Sequence, residues 1–273
     1  MARSRDEGRP AISKAGPLRN IQVSDAPRFS LVIPAHNEEA CLPRLLDSVD
    51  RARRAYAGGA GAIEVIVADD GSTDATADIA NARGCRTVRL EARRIAGARN
   101  AGARAAGGDI LAFVDADSRI HVDTFNEIDR LIGSGRVIGG TTGAVFERQS
   151  AGLRCTHAEL ALLGVAFRGW RALRRPAMDT GVVFCGRADF EAMGGYREQY
   201  RWGEDVWLLV DLLRRGWQSG RRLEGATSAP ATFSTRKFDH YGDWHYFTMP
   251  FRIAWDAVRR RDTTTRQYWY ERR

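Results

Sequence analysis

With 273 residues, 44% of them hydrophobic and 28% charged, the chain has the composition of a folded protein that buries a sizeable core. Its net charge of +8 favours an anionic partner, such as phosphates, nucleic acid or a membrane surface, although a solvated basic surface gives the same composition. The four scattered cysteines form no CxxC pair, which argues against zinc or redox chemistry and favours a reduced, cytosolic protein. No stretch is apolar for long enough to span a bilayer.

Strand and helix patterns alternate along the first half of the chain. Residues 1–27 are polar, lack the apolar core of a signal peptide and are predicted to form a flexible tail. Short apolar runs then predict four strands, at 29–34, 63–68, 87–91 and 110–114. Between them, helical patterns predict a helix capped by Asn37 with acidic first-turn residues, a helix over 74–84 and an Ala-rich helix over 94–108.

The pattern loosens after about residue 135. It predicts strands within 136–146 and 181–186, and a helix over 204–215 with an apolar stripe formed by Val206, Leu209, Val210 and Leu213. Strand–helix alternation predicts an α/β fold with a mostly parallel central sheet and helices on both faces. We expect one domain over 28–225, made of a nucleotide-binding half (28–120) and an acceptor-side half (121–225), followed by a C-terminal loop and amphipathic extension over 226–273.

Acidic residues follow three of the predicted strands. Glu38 lies just beyond the first strand, the pair Asp69 and Asp70 follows the second, and Asp115 and Asp117 follow the apolar run at 110–114. Ligands of open parallel sheets bind beyond the carboxyl ends of the strands. The sequence therefore predicts an acidic crevice inside a basic protein, which needs a cation, and a cation there would attract phosphates.

These motifs resemble the family 2 inverting nucleotide-sugar glycosyltransferases, which have the A-type, Rossmann-like glycosyltransferase fold. The resemblance covers roughly residues 29–220, and its motifs stand in the family's order. They are "SLVIPAHNEE", "VIVADDGSTDAT", "GARNAGARAAGGDILAFVDADS", "GVVFCGRADFEAMGGY" and "RWGEDVWLLVDLLRRG". The resemblance implies a hexosyltransferase that moves a sugar from a nucleoside-diphosphate sugar to an acceptor hydroxyl with inversion.

The resemblance also implies a divalent metal, Mn²⁺ or Mg²⁺, which neutralises the leaving diphosphate. Asp117 would bind this metal, and Asp115 would contact the ribose or sugar or reach the metal through water. Hard cations prefer such oxygen ligands. His240 and His245 are alternative candidates for a further metal ligand. A solvated strand-end turn, with Asp117 capping the next helix, is the structural alternative for this motif.

For the nucleotide, the resemblance implies a uracil-reading contact from Asp70, with UDP as the default and GDP as the alternative. The other implied donor contacts are Pro34, Ala35, Glu38, Arg99, Arg236 and Lys237. The structural alternative is that Asp70 and Ser72 only shape a turn and cap a helix, and that Arg99 is a surface residue.

The "GED" motif supplies the implied catalytic base. Inversion needs a carboxylate that takes the proton of the acceptor hydroxyl. By resemblance this is Asp205, with Glu204 orienting the acceptor or a neighbouring loop. A helix N-terminus should keep Asp205 ionised at neutral pH, and plain charge complementarity at that terminus is the structural alternative. Asp179 and Thr180 are candidates for contacts on the acceptor side.

Other functions and locations stay open on the sequence alone. A nucleotide-sugar-binding protein, a pyrophosphorylase-like nucleotidyltransferase and a basic nucleic-acid-binding module are the alternatives. A pyrophosphorylase would normally carry a Gly-rich loop after its first strand, and a nucleic-acid module leaves the acidic strand ends unexplained. The aromatic and arginine-rich segments at 160–175 and 247–273 suit either packing on the core or a peripheral contact with the inner face of the membrane.

Overall fold

The computed structural model describes residues 26–91, 94–148, 173–174, 181–200 and 203–235, with only the backbone at 173–174. Its strands are β1 (Phe29–Ala35), β2 (Ile63–Asp70), β3 (Arg86–Leu90), β4 (Ile110–Phe113), β5 (Val137–Thr141), β6 (Ala144–Phe146), β7 (Leu173–Arg174), β8 (Val183–Gly186), β9 (Arg222–Glu224) and β10 (Ala231–Phe233). Its α-helices are α1 (Leu42–Ala55), α2 (Thr76–Ala82), α3 (Ile95–Ala105), α4 (Thr124–Gly133), α5 (Arg187–Ala192) and α6 (Glu204–Ser219).

Eight strands form one sheet in the order β3-β2-β1-β4-β8-β5-β9-β7. The strands β3, β2, β1 and β4 are parallel, whereas β8 runs antiparallel to both of its neighbours, β4 and β5. The pairs β5–β9 and β7–β9 are parallel again. The predicted mostly parallel sheet is therefore confirmed, with one reversed strand near its middle.

Helices cover both faces of this sheet, as predicted. Alternate residues of β1 point to opposite faces, so Leu31 and Ile33 join one buried cluster, and Val32 joins the other. The first cluster includes apolar residues of α1 and α4, and the second includes residues of α3 and α6. Helix α1 buries the helically spaced residues Leu42, Leu45, Leu46 and Val49. Because both faces are covered, β1 is buried along its whole length.

The predicted start of α1 is wrong. The helix begins at Leu42, after an N-cap at Cys41, and its first turn contains no acidic residue. Asn37 instead has a positive φ of 54° and accepts a hydrogen bond at Oδ1 from the backbone N–H of Thr73 in the next loop. Pro43 in the first turn suits a helix start, because its fixed φ fits the helix and its missing N–H would be unsatisfied there anyway.

The predicted apolar stripe of α6 is only partly buried. The helix buries Leu208, Leu212 and Leu213, whereas Val206 is 45% exposed. Gly216 approaches the backbone closely, since a Cβ there would lie 2.8 Å from the carbonyl oxygen of Arg221. The helix is therefore rotated about its axis relative to the stripe predicted from spacing, because tertiary contacts select the buried face.

The described chain continues as part of the same body beyond residue 225, where we expected a C-terminal extension to begin. Strand β10 pairs in parallel with β6, and Thr232 forms a bridge with Arg119. Ala226, Ala229 and Ala231 are buried. None of the helices in the described ranges is long and apolar enough to cross a membrane.

Candidate active site

The carboxyl ends of β1, β2 and β4 lie side by side at one edge of the sheet. The register pairs Ala35 with Asp69 and Val32 with Phe113, so the three following loops share this edge. The predicted residues Pro34, Ala35, Glu38, Asp70, Asp115 and Asp117 therefore lie in or beside neighbouring loops. The expected acidic edge is present in the structure.

The loops after β1 and β2 are joined by hydrogen bonds. The backbone N–H of Asn37 donates to Ser72 Oγ over 2.9 Å, and that of Glu38 donates to Thr76 Oγ1 over 2.8 Å. His36 Nδ1 lies 2.8 Å from the carbonyl oxygen of Asp70. Ser72 thus holds the neighbouring loop rather than capping its own helix. These bonds make the two loops one rigid unit.

The two aspartates at the end of β2 have different surroundings. Asp70 Oδ2 accepts the backbone N–H of Arg94, over 2.9 Å, just before α3. Asp69 is fully buried; its Oδ1 accepts the N–H of Ser72, and its Oδ2 has no hydrogen-bond partner among the described residues. A uracil contact by Asp70 stays a prediction, and the observed contact shows that Asp70 also helps to anchor the start of α3.

Arg99 connects three carboxylates from separate parts of the chain. It lies on α3 and is only 3% exposed. Its Nη1 donates to Glu204 Oε1 and to Asp205 Oδ1, and its Nη2 donates to Asp115 Oδ1, each over 2.8 Å. We expected Arg99 to contact the nucleotide or its phosphates, but both terminal nitrogens face protein carboxylates. A buried guanidinium needs such partners, because an unpaired buried charge is costly.

Asp205 lies in the first turn of α6, after Gly203 in a left-handed conformation. Its Oδ1 accepts two hydrogen bonds, from Arg99 Nη1 and from the hydroxyl of Tyr196 over 3.1 Å. Within the described parts of the chain, its Oδ2 has no hydrogen-bond partner. The protein thus holds one oxygen of the carboxylate, and no described donor holds the other.

Burial raises the pKa of Asp205 to about 6, against the opposing effect of Arg99. The neighbouring carboxylates of Glu204 and Asp115 raise it further, and the Tyr196 hydrogen bond lowers it. We expected the helix N-terminus to keep Asp205 ionised at neutral pH, and a pKa of about 6 agrees with that, although burial raises it above the ordinary value of 3.8. Asp205 is still mostly ionised at neutral pH, with a pKa closer to that of an efficient general base than an ordinary aspartate.

Tyr196 and Asn100 complete the surroundings of Asp205, and sequence reasoning did not assign either of them to the site. Asn100 Oδ1 accepts the N–H of Tyr196, and its Nδ2 donates to the carbonyl oxygen of Tyr196, both over 2.8 Å. The guanidinium carbon of Arg99 lies 5.2 Å from the centroid of the Tyr196 ring. Both residues stand in quoted motifs, "GARNAG" and "GGY", but neither the bond from Tyr196 to Asp205 nor the bonds from Asn100 to Tyr196 have a local sequence signal.

The expected metal ligands lie where predicted, directly after β4, and both are partly exposed. Asp115 Oδ1 is hydrogen-bonded to Arg99. Helix α4 begins at Thr124, so Asp117 does not cap it. In the described ranges no group of three or more histidines, cysteines and carboxylates is arranged to hold a metal. Several expected site residues lie outside the described residues: Asp179, Thr180, Arg236, Lys237, His240 and His245.

Comparison with known proteins follows the same motifs. The family model for glycosyl transferase family 2 matches residues 30–188, which is more than half of the chain. The chain belongs to glycosyl transferase family 2. The matched region contains β1 except for its first residue, all of β2 to β4, and Asp70, Arg99, Asp115 and Asp117, and it ends before Asp205.

Curated relatives carry glycosyltransferase names. Validoxylamine A glucosyltransferase of Streptomyces hygroscopicus subsp. limoneus is 36% identical over 119 residues, which are 41% of this chain and 25% of that protein. The PGL/p-HBAD biosynthesis glycosyltransferase of Mycobacterium bovis is 32% identical over 183 residues, 64% of this chain and 66% of that protein. The chain thus spans a quarter of the first relative and about two thirds of the second.

A solved structure shares the fold. Glucosyl-3-phosphoglycerate synthase from Mycobacterium tuberculosis, solved in complex with Mn²⁺, UDP and phosphoglyceric acid, superposes with a TM-score of 0.54 at 22% identity. The match covers 73% of this chain and 68% of that one. The likeness supports the same mostly parallel α/β architecture, which is that of the A-type glycosyltransferases.

Proposed function

We propose that this chain is a metal-dependent inverting glycosyltransferase that uses a nucleoside-diphosphate sugar, with UDP as the nucleotide, and Asp205 as the general base. The observation that carries the proposal is the set of contacts made by Asp205 and its raised pKa. Its Oδ1 is held by Arg99 and Tyr196, its pKa is raised to about 6, and it shares the buried Arg99 with the carboxylates of Glu204 and Asp115. Membership of glycosyl transferase family 2 supports the reaction class.

The chemistry follows from this geometry. Asp205 takes the proton of an acceptor hydroxyl while that oxygen forms a bond to the anomeric carbon. The bond between the anomeric carbon and the diphosphate oxygen breaks on the opposite face, so the configuration inverts. The nucleoside diphosphate leaves with the electron pair of that bond. Glu204 does not compete for this role, because its Oε1 is committed to Arg99 and the residue is buried.

The gathering of carboxylates at this edge supports a divalent cation. Asp115, Glu204 and Asp205 converge on the guanidinium of Arg99. We propose that Asp117, together with Asp115, holds Mn²⁺ or Mg²⁺, which favour oxygen ligands. When bound, such a metal neutralises the leaving diphosphate. The related synthase from Mycobacterium tuberculosis was solved with Mn²⁺ and UDP.

Nucleotide recognition would use the joined loops after β1 and β2. Pro34, Ala35 and Glu38 would flank the base and ribose, and Asp70 would accept a hydrogen bond from the uracil N–H. Asp70 Oδ2 already accepts the Arg94 N–H, so a base contact would use its other oxygen or share this one.

We further propose a cytoplasmic location, with peripheral contact at the inner face of the membrane, which cell fractionation can test.

Calorimetric titration of UDP-glucose with and without Mn²⁺ tests the metal and the nucleotide together. We expect wild-type binding to depend on Mn²⁺, and Asp117→Ala to remove that dependence without unfolding the protein. Asp109→Ala is the matched control, because Asp109 is an exposed carboxylate at the opposite end of the same strand. Mn²⁺-dependent binding that survives unchanged in Asp117→Ala would remove Asp117 from the metal site. Equal affinities of the wild type for UDP and GDP would contradict uracil reading by Asp70.

A further inference from the structure

The hydroxyl of Tyr196 is a second donor to the carboxylate that we assign as the base. Tyr196 is 2% exposed, and its hydroxyl donates to Asp205 Oδ1 over 3.1 Å. Burial and the nearby Asp205 raise the pKa of Tyr196 well above its ordinary value of 10.0. The hydroxyl therefore stays protonated at any working pH and can only donate to Asp205.

The position of this hydroxyl is fixed by its own surroundings. Asn100 bonds to both the N–H and the carbonyl oxygen of Tyr196, as a neighbouring strand would. Gly195 permits this approach, because its φ is +76° and a Cβ there would lie 2.6 Å from Asn100 Oδ1. The Tyr196 ring packs edge-on against Phe113 of β4 and Phe190 of α5, at centroid distances of 5.1 Å and 5.8 Å. Neither the backbone nor the ring of Tyr196 can shift without breaking these contacts.

The two donors reach the same oxygen of Asp205 from different elements. Arg99 lies on α3, and Tyr196 lies between α5 and α6. A carboxylate held at one oxygen by two donors has a fixed rotation about its side-chain bonds. Its second oxygen then has a fixed direction, which a proton acceptor needs in order to meet an incoming hydroxyl at hydrogen-bond distance.

We propose that Tyr196 is a positioning residue of the reaction: with Arg99 it fixes Oδ1 of Asp205, so that Oδ2 takes the acceptor proton. This inference rests on the proposed function, in which Asp205 is the general base. Tyr196 itself transfers no proton. Asn100 holds the backbone of Tyr196 in place. The neighbouring residues Arg99 and Asn100 of α3 therefore both help to orient Asp205, Arg99 directly and Asn100 through Tyr196.

Tyr196→Phe removes only the hydroxyl and keeps the packed ring. We expect the rate of UDP release from UDP-glucose, with Mn²⁺ and water as acceptor, to fall by about 10- to 100-fold, as expected for one hydrogen bond to a charged group. The KM for UDP-glucose should stay unchanged, because the loss falls in the transition state. Carbon-13 NMR titration of the Asp205 carboxyl gives a second readout that needs no substrate. Its pKa should rise in Tyr196→Phe, since a donor that favours the ionised form is lost.

Tyr56→Phe is the matched control. Its hydroxyl is equally part of a buried tyrosine and donates to a carboxylate, Asp129 Oδ2, over 2.8 Å, but it lies at the end of α1 outside the site. We expect it to lower stability about as much as Tyr196→Phe and to leave UDP release and the Asp205 titration at wild-type values. A purely structural role for Tyr196 predicts that the two variants behave alike.

Asp205→Asn separates failure of this inference from failure of the proposed function. If Asp205→Asn abolishes UDP release and Tyr196→Phe releases UDP at the wild-type rate, the positioning role is wrong and the general base stands. If Asp205→Asn retains wild-type release, the general base is wrong and the inference falls with it. In the double variant, Tyr196→Phe should cause no further loss, because its effect passes through Asp205.

Discussion

The two ends of helix α6 carry clusters of paired charges with opposite compositions. At its first turn, three carboxylates, those of Asp115, Glu204 and Asp205, pair with Arg99. Near its last turn, one carboxylate, Asp189 of α5, accepts hydrogen bonds from Arg215 and from two nitrogens of Arg221. Among the described residues, the first cluster joins three acids to one arginine, and the second joins one acid to two arginines.

The difference appears in the pKa shifts. Burial raises the pKa of both aspartates, but the hydrogen bonds and charges of Arg221 and Arg215 outweigh it and lower the pKa of Asp189 below its ordinary value of 3.8. For Asp205 burial prevails, with Glu204 and Asp115 adding to it, and the pKa rises to about 6. A carboxylate paired with two arginines is suited to holding helices together, whereas a buried one with a raised pKa is suited to accepting a proton.

The largest effect that we expect comes from Asp205→Asn. The amide keeps the size of the side chain but cannot accept the acceptor's proton, so UDP release should fall by about 10²- to 10⁴-fold. Donor affinity should change little, because the loss falls in the transition state. Turnover, donor affinity and melting temperature measured on one sample check this. A folded Asp205→Asn with nearly wild-type turnover would contradict the assignment of the base.

The pH dependence of wild-type turnover should reflect the raised pKa of Asp205. Only the ionised carboxylate can act as the base, so turnover should fall as the pH drops below about 6, approaching a tenfold loss per pH unit. An ordinary aspartate near 3.8 would keep full activity down to about pH 5. A rate profile of UDP release from pH 4 to 8, with stability checked at each pH, distinguishes the two.

The smallest effect on turnover should come from Asp189→Asn at the other end of α6. We expect a change of less than about twofold in UDP release, with a loss of about 1–2 kcal/mol in the free energy of unfolding, since the arginines that it pairs with are partly exposed. Urea denaturation measures the loss. A large fall in turnover at unchanged stability would show that the two clusters do not divide their roles in this way.

The contributions of Asp189 and Asp205 to the stability of the fold should change in opposite directions as the pH rises. Asp189 has a lowered pKa in the fold, so its stabilisation is present above about pH 3.8 and is lost as the pH falls below that. Asp205 has a raised pKa, so its contribution is full below about pH 3.8 and is lost as the pH rises through about 6. Unfolding free energies of Asp189→Asn at pH 3 and pH 7 should therefore approach the wild-type value only at the lower pH.

The sequence by itself determined the architecture and the location of the acids. Strand and helix periodicity are local properties of the backbone, so alternation was enough to predict a mostly parallel sheet covered on both faces. In such a sheet the carboxyl ends of neighbouring strands share an edge, so the sequence alone predicted that Asp70, Asp115 and Asp117 lie at the same edge. The start of α6 at Glu204 and Asp205 was also readable, because acidic residues favour the first turn.

Only the tertiary structure decided which groups these acids meet. Arg99 and Asp205 are 106 residues apart, and nothing local to either predicts that they bond. The same holds for the hydrogen bond from the Tyr196 hydroxyl to Asp205. It also holds for Asn37, which bonds to the neighbouring loop instead of capping α1. The raised pKa of Asp205 likewise depends on its burial in the folded chain. Partner choice and desolvation arise from packing between distant segments, whereas periodicity is set within each segment.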